Sequence, residues 1–162
     1  MLKRKISETF LKWKDTPNKK CLLVKGSRQV GKTFIIEDFA KKNYGNYIYI
    51  NFELSPGMKN VFEGDLDVDS LVRNLSIRFP KIKFEPRNLL IFLDEIQSCP
   101  KARVALKSFS LDGRFDVIAS GSLLGLNYKE VPSFPVGYET PIELRSLDFE
   151  EFLWALGITD EI

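Results

Sequence analysis

The segment from Gly26 to Thr33 reads GSRQVGKT, in which four other residues separate Gly26 from the run Gly31, Lys32 and Thr33. This is the spacing of the phosphate-binding loop, G-x-x-x-x-G-K-[ST]. Its glycines let the backbone curl so that successive N–H groups point at one anion, and the positive end of a following helix points at the same place. The alternative is a glycine turn that precedes a lysine by chance. Because the segment stands between an apolar run, CLLVK, and a helical pattern, it favours binding of nucleotide phosphates.

Two side chains of this loop have distinct expected roles. Lys32 would reach the β- and γ-phosphates of a nucleotide and assist catalysis there, and the Thr33 hydroxyl would be a ligand to Mg²⁺. Arg28 would contact the phosphate, a neighbouring subunit or solvent. The full set predicted to contact the nucleotide is Gly26, Ser27, Arg28, Gln29, Val30, Gly31, Lys32, Thr33 and Phe34.

The run LLIFLDEIQ contains a second motif, in which two acids follow an apolar strand. Asp94 would hold the Mg²⁺ through water and accept a hydrogen bond from Thr33, and Glu95 would polarise the attacking water as the general base. The alternative is a strand that ends in two surface acids. A nucleotide-binding switch needs the first carboxylate but not the second, so the pair favours hydrolysis. No Asn-Lys-x-Asp segment follows the loop, which favours ATP over GTP.

Two serines stand at the end of a third apolar run, in the segment FDVIASGS. Ser120 or Ser122 would be a sensor that contacts the γ-phosphate or the attacking water, and Ser120 is the first candidate. A glycine–serine turn at a strand end is the alternative. Gln97 would orient polar groups near Glu95, or would simply begin the next helix.

The composition narrows the class of protein. With 162 residues, 44% hydrophobic and 12% aromatic, the chain suits one domain with a substantial core. The net charge of +2 gives no argument for nucleic acid, and a sequence without histidine excludes histidine bases and histidine-containing zinc sites. Two distant cysteines, Cys21 and Cys99, suit a reducing compartment. We recognise no signal peptide and no apolar run long enough to span a membrane, so a cytoplasmic protein is predicted.

Apolar runs typical of strands alternate with stretches of helical periodicity along the chain. Strands are predicted over 21–26, 47–54, 88–95, 115–122 and 142–145, helices over 2–14, 32–42, 68–79, 100–109 and 148–157, and irregular segments over 55–65 and 123–141. This alternation indicates an α/β fold, with a parallel sheet covered by helices on both faces. Ligands of such sheets bind at the carboxyl ends of the strands, where the motifs above lie. The nucleotide-binding core is predicted to span 21–145 within one domain of residues 1–162.

Four blocks of this chain resemble the AAA-type ATPases of bacteria and archaea in the AAA_14 group: KGSRQVGKTF, IFLDEIQSCP, ASGSLLG and SFPVGYETPIELRSLDFEEFLWALG. The end of the last block is the most specific to the group. The resemblance implies an additional-strand (ASCE) P-loop NTPase sheet of about five parallel strands, with the P-loop strand central. It also implies ATP and Mg²⁺ as ligands, Walker A roles for Lys32 and Thr33, and Walker B roles for Asp94 and Glu95.

The chain departs from this family in two respects. Members are usually more than twice as long and carry a DUF4143 domain after the ATPase core, so we expect the chain to be the N-terminal part of a longer protein, without that domain. Tyr138 stands where many members have a basic residue. AAA-type ATPases usually need an arginine from a neighbour. Lys129 is the only basic residue between Ser120 and Pro141, and Arg145 is the nearest arginine. Weak hydrolysis in isolation is expected, with self-association or contact with the chain's own C-terminal domain.

Three other functions stay open at this point. An ATP-dependent conformational switch with negligible turnover would recruit a partner. Direct DNA binding would use the basic N-terminal helix with Lys19 and Lys20 nearby, for which a solvated helix face is the alternative. A small-molecule kinase would need an acceptor site and an arginine-rich lid, and no such lid is recognisable in the sequence.

Overall fold

The computed structural model of the chain describes residues 2–26, 31–122 and 137–143, with side chains from residue 8 onward. The predicted helix over 148–157 and the loop residues 27–30 lie outside the described residues. The elements are α1 (Leu2–Asp15), β1 (Cys21–Lys25), α2 (Lys32–Asn43), β2 (Asn46–Asn51), a 3₁₀ helix (Pro56–Phe62), α3 (Val68–Arg78), β3 (Leu89–Asp94), a second 3₁₀ helix (Ile96–Ser98), α4 (Pro100–Asp112), β4 (Asp116–Gly121) and β5 (Glu139–Glu143). Within these ranges no helix has both the length and the apolar character needed to cross a membrane.

The five described strands form one parallel sheet in the order β2-β3-β4-β1-β5. This confirms the predicted α/β fold with a parallel sheet. The strand that precedes the phosphate loop, β1, lies inside the sheet, but β4 occupies the middle position. The expectation of a central P-loop strand is wrong in this detail, because one strand lies beyond β1 on one side and three lie beyond it on the other.

Helices cover both faces of the sheet, which explains the continuous apolar runs. Every residue of β3 and β4 is buried. Successive side chains of a strand point to opposite faces. Leu23 packs in a core with α3 and α4, whereas its neighbours Leu22 and Val24 pack in a second core with α1 and α2. A strand covered on both faces is apolar along most of its length, so the alternation of half-buried strands is missing here, and the buried polar residues lie at or near the strand ends.

The strand β2 ends at Asn51, three residues before its predicted end at 54. Oδ1 of Asn51 accepts hydrogen bonds from the backbone N–H groups of Glu53 at 2.9 Å and Leu54 at 3.0 Å. Such a turn made by an asparagine side chain directs the backbone out of the sheet. Local side-chain chemistry therefore overrides the aromatic and β-branched pattern that extended the prediction.

The segment 55–65 was predicted to be a loop, and this is wrong in part, since Pro56–Phe62 form a 3₁₀ helix. The proline stands at its first turn, where the missing N–H costs nothing. Phe62 is fully buried, and its ring lies 5.7 Å from that of Phe52, centroid to centroid. Burial of this ring fixes a short helix that the glycines and the proline of the segment concealed.

The last described strand, β5, runs from Glu139 to Glu143 rather than over the predicted range 142–145. It contains Pro141, which lies opposite Leu23 of β1. Proline is tolerated because β5 is at the edge of the sheet, where a backbone N–H is not needed on the outer side. Residues 144 and 145 lie outside the described residues.

Several polar contacts join helix α4 to β1, to β5 and to the residue before β5. The Arg103 guanidinium forms an ion pair with Glu139 at 2.8 Å, and only about a tenth of either side chain is exposed. The Ser110 hydroxyl donates to the carbonyl of Tyr138 at 2.6 Å and accepts from the backbone N–H of Cys21 at 3.0 Å. Helix α4 therefore fixes the start of β1 relative to the edge strand.

Burial raises the pKa of the Cys21 thiol from 9.0 to about 12. Above pH 9 the unfolded chain loses this proton whereas the folded chain keeps it. The contribution of the buried thiol to the free energy of unfolding is therefore complete below pH 9 and is lost as the pH rises towards 12. Between about pH 8 and 10 we expect the free energy of unfolding to fall by about 1.4 kcal/mol more in the wild type than in Cys21→Ala. Urea unfolding at the two pH values measures this. An equal fall in both proteins would contradict it.

Candidate active site

The carboxyl ends of β1, β3 and β4 meet at one edge of the sheet, since β4 lies between the other two strands. Gly26 follows β1, Asp94 ends β3, and Ser120 is the last residue but one of β4. Lys32 and Thr33 open α2, directly beyond β1. The fold thus brings five of the predicted site residues to the edge where parallel sheets bind their ligands.

The carboxylate of Asp94 is the centre of this cluster. It is only 2% exposed, and both of its oxygens accept hydrogen bonds. Oδ2 accepts from the Thr33 hydroxyl at 2.7 Å and from the Tyr49 hydroxyl at 2.8 Å. Oδ1 accepts from the Ser120 hydroxyl at 2.6 Å and from the backbone N–H of Glu95 at 3.0 Å. These four donors replace water around a buried acid, and they fix the plane of its carboxylate relative to α2, β2 and β4.

Lys32 is 5% exposed, and its Nζ donates to the carbonyl of Gly26 at 2.9 Å. Gly31, the residue before α2, has φ 71° and ψ 33°, a conformation that glycine adopts without strain. The lysine head therefore lies next to the residue that follows β1. Phe34, also predicted to contact the nucleotide, is 46% exposed, and the predicted contacts Ser27, Arg28, Gln29 and Val30 lie outside the described residues.

Glu95 directly follows β3 in a left-handed backbone conformation, φ 55° and ψ 48°. For a residue with a side chain this costs about 1–3 kcal/mol, and such strain is concentrated at functional sites. The conformation ends the strand and starts the 3₁₀ helix that contains Gln97. Gln97 is the middle residue of that short helix and does not begin a helix, since α4 starts at Pro100. Its Nε2 donates to Glu95 Oε2 at 2.5 Å, the contact that the predicted orienting role requires.

The two candidate sensor serines differ in position. Ser120 is fully buried, and its hydroxyl donates to Asp94. Ser122 follows the end of β4 and is half-buried. The observed role of Ser120 is thus to hold the carboxylate of Asp94, and its contact with a γ-phosphate or an attacking water stays a prediction.

The sequence reading did not identify Tyr49, which the fold brings to the site. Its hydroxyl donates to Asp94 and accepts from Asn51 Nδ2 at 3.2 Å. Burial, together with the hydrogen bond to Asp94, raises the pKa of Tyr49 to about 12. The signal was present in the aromatic strand YIYIN, but its meaning depends on the pairing of β2 with β3, in which Asn51 lies opposite Asp94.

The residues at this edge fit a magnesium ion. Mg²⁺ prefers oxygen ligands and is usually bound by one or two side chains together with phosphate oxygens and water. The Thr33 hydroxyl and the Asp94 carboxylate, 2.7 Å apart, are such a pair. In the part of the chain that the structure describes, no three Cys, Asp or Glu side chains gather into a metal site of their own.

At the amino ends of the strands, opposite to the site, Lys19 forms an ion pair with the buried Asp116 at 2.9 Å. This lysine, which supported the DNA-binding alternative, thus balances a buried carboxylate. It also lines a cavity of about 800 Å³ with Trp13 and Phe115. The cavity lies at the start of β1 and β4, whereas Asp94 lies at the opposite ends of the strands. Arg145 and Lys129 lie outside the described residues.

Together, the order of the parallel strands, the lysine–threonine pair at the start of α2 and the acid pair after β3 define a P-loop NTPase of the AAA type. Residues 18–153 match the AAA_14 family, described as an AAA domain. The chain belongs to this family of nucleotide-binding ATPases.

Two known proteins show how far the likeness extends. An uncharacterized protein of Methanocaldococcus jannaschii is 31% identical over 152 residues, which cover 93% of this chain and 32% of that protein. The chain thus spans about a third of the length of this relative. The ORC1 protein of Aeropyrum pernix, solved in complex with DNA, superposes with a TM-score of 0.57 at 16% identity, over 96% of this chain and 48% of that one. At this identity the likeness concerns the fold.

Removing donors from Asp94 should destabilise the fold. We expect Ser120→Ala and Tyr49→Phe each to lower the free energy of unfolding by about 1.5–3 kcal/mol, because each leaves a charged acceptor short of a hydrogen bond. Tyr47→Phe is the control, since that hydroxyl donates a longer hydrogen bond of 3.3 Å to Glu37, which is only half-buried and keeps contact with water, and we expect a loss within about 0.5 kcal/mol. Urea unfolding measures all three. Equal losses in the two tyrosine variants would contradict the importance of the Asp94 contact.

Proposed function

We propose that this chain binds ATP together with Mg²⁺ and hydrolyses it. The observation that carries the proposal is the 2.7 Å hydrogen bond between the Thr33 hydroxyl and Asp94. It joins two motifs that are 61 residues apart in sequence, and it does so between the types of residue that hold magnesium in P-loop NTPases. Glu95, the next residue after Asp94, adds the carboxylate that binding alone does not need.

Lys32 and the start of α2 would bind the phosphates. The Lys32 ammonium lies 2.9 Å from the carbonyl of Gly26, the first residue of the loop, and would turn to the β- and γ-phosphates when a nucleotide binds. The N–H groups of the first turn of a helix point beyond its start, and the positive end of the helix dipole adds to their attraction for an anion. Gly31 allows the backbone to approach that anion closely.

Thr33 and Asp94 would hold the metal, the first through its hydroxyl and the second through water. When bound, Mg²⁺ neutralises negative charge on the β- and γ-phosphates. The contribution of the chain is to keep the Asp94 carboxylate in one orientation. The hydroxyls of Tyr49 and Ser120 do this from the two strands on either side of β3.

Glu95 would be the general base of the reaction. Its carboxylate takes a proton from the attacking water, the water oxygen bonds to the γ-phosphorus, and the bond from that phosphorus to the leaving oxygen of ADP breaks. Because the Glu95 backbone N–H is bonded to Asp94 Oδ1, the base is fixed next to the residue that holds the metal. Nothing in this scheme needs histidine, which the sequence lacks.

We also propose that turnover depends on association of two or more copies. AAA-type ATPases usually need an arginine that stabilises charge on the transferred phosphoryl group, and such a residue contributes about 10³–10⁵ in rate. If a neighbouring copy supplies this arginine, a single copy would bind ATP but hydrolyse it slowly, because the arginine is missing from its site.

Glu95→Gln separates hydrolysis from binding. We expect the ATP dissociation constant to stay within about twofold of the wild type, while the steady-state rate falls by at least about 10²-fold, since general-base catalysis contributes that much. Lys32→Ala is the contrasting variant, and it should lose ATP binding. Fluorescent-nucleotide titration and phosphate release measure the two quantities. A wild-type rate in Glu95→Gln, or no turnover by the wild type, would favour a nucleotide-dependent switch instead.

Association can be tested by varying the protein concentration. We expect the rate per chain to rise with concentration and then to reach a plateau as the assembly forms, because the arginine comes from a neighbour. Phosphate release measured alongside mass photometry or sedimentation checks this. Fast turnover by a chain shown to be monomeric would contradict the proposed dependence on a neighbour.

A further inference from the structure

The side chain of Gln97 has two ends in very different environments. Its Nε2 donates a 2.5 Å hydrogen bond to Oε2 of Glu95. Its Oε1 is buried and accepts no hydrogen bond, and it is the one such side-chain atom among the residues that the structure describes. A buried polar atom without a partner is unusual in a native protein and calls for an explanation, such as a catalytic role or a water molecule at that place.

The backbone is bent so that these two side chains meet. Residues two apart do not face each other on a helix. Here the left-handed conformation of Glu95 is followed at once by a 3₁₀ turn, and the backbone N–H of Ser98 donates to the Glu95 carbonyl at 3.0 Å. This tight turn brings the Gln97 amide next to the Glu95 carboxylate.

The charge of Glu95 explains which end of the amide lies where. An amide can be turned over without changing its shape, so its orientation follows from its neighbours. With Oε1 towards the carboxylate, two acceptors would repel each other, whereas Nε2 in that place donates a hydrogen bond. Holding Glu95 in this way leaves Oε1 of Gln97 as an acceptor that a water molecule would satisfy.

We propose that Gln97 is a positioning residue for Glu95, a role that rests on the proposed hydrolysis. Its amide N–H occupies one oxygen of the Glu95 carboxylate, so that the other oxygen is available to the attacking water. Its Oε1 would accept a hydrogen bond from a water molecule that lies next to it. Gln97 touches neither the nucleotide nor the reacting atoms, and it acts by restricting the rotamer of the base.

The test compares Gln97→Met, which keeps the volume of the side chain and removes both polar ends, with Ser98→Ala as a control in the same 3₁₀ helix. We expect Gln97→Met to lower kcat by about tenfold or more while the KM for ATP stays within about twofold, since only the base is displaced. Ser98→Ala should stay within about twofold of the wild type in both. Urea unfolding of each variant shows whether the fold is retained.

A double-mutant cycle distinguishes positioning from a general structural effect. In single-turnover experiments with the Glu95→Gln background, Gln97→Met should cause less than about a twofold further loss, because the carboxylate it positions is gone. Equal fold-losses in both backgrounds, or a kcat for Gln97→Met within twofold of the wild type, would overturn the positioning role and leave the proposed hydrolysis intact.

The contact itself has a readout that does not depend on turnover. The side-chain amide signals of Gln97 in a ¹⁵N–¹H spectrum, identified by their loss in Gln97→Met, should shift in Glu95→Gln. Unchanged signals would overturn the contact. If the wild type shows no turnover at any concentration, both the proposed hydrolysis and the positioning role are overturned, whatever the amide signals show.

Discussion

A buried carboxylate has to be surrounded by donors, and this requirement at Asp94 organises the site. The acid is only 2% exposed, and its two oxygens take hydrogen bonds from Thr33, Tyr49, Ser120 and the backbone of the next residue. Each donor comes from a different part of the fold. Their distances to one small group leave little freedom for α2, β2 and β4 relative to β3. The acid that would hold the metal is therefore also what joins the elements at this edge of the sheet.

The order of the strands makes this convergence possible. With β4 between β1 and β3, and with β2 on the other side of β3, the neighbours of Asp94 come from both adjacent strands. Tyr49 and Ser120 lie far apart in sequence, but both point at the end of the same strand. Short strands also limit the spread of the site, because β3 ends at Asp94 and β4 ends one residue after Ser120.

The strained residue next to Asp94 has a different task. The left-handed backbone of Glu95 stops β3 and turns the chain into a 3₁₀ helix. A glycine would adopt this conformation without strain, but it would carry no carboxylate. The hydrogen bonds from Gln97 and from the Ser98 backbone are the local contacts that accompany the strain. At the other end of the strands, Lys19 lies between α1 and β1 and forms an ion pair with Asp116, the first residue of β4.

The predictions from sequence succeeded where a residue's role depends on its immediate neighbours. The phosphate-loop spacing, the acid pair after an apolar strand and the alternation of strands and helices predicted the fold, and the resemblance of four sequence blocks indicated the family. They were less accurate at boundaries. Asn51 ended β2 early through its own side chain, and burial of Phe62 turned a predicted loop into a 3₁₀ helix. These outcomes depend on contacts that a local pattern does not contain.

The sequence by itself determined the class of the protein, because the phosphate loop and the strand that ends in Asp94 and Glu95 are local patterns with local physical causes. Only the tertiary structure decided which groups surround that acid. Nothing in the sequence distinguishes Tyr49 from the other aromatic residues of its strand, and its contact with Asp94 follows from the pairing of β2 with β3. In the same way, the contact of Ser120 with Asp94 follows from the pairing of β4 with β3. A hydrogen bond requires two groups to be about 3 Å apart, and for residues distant in sequence that distance is set by the pairing of strands.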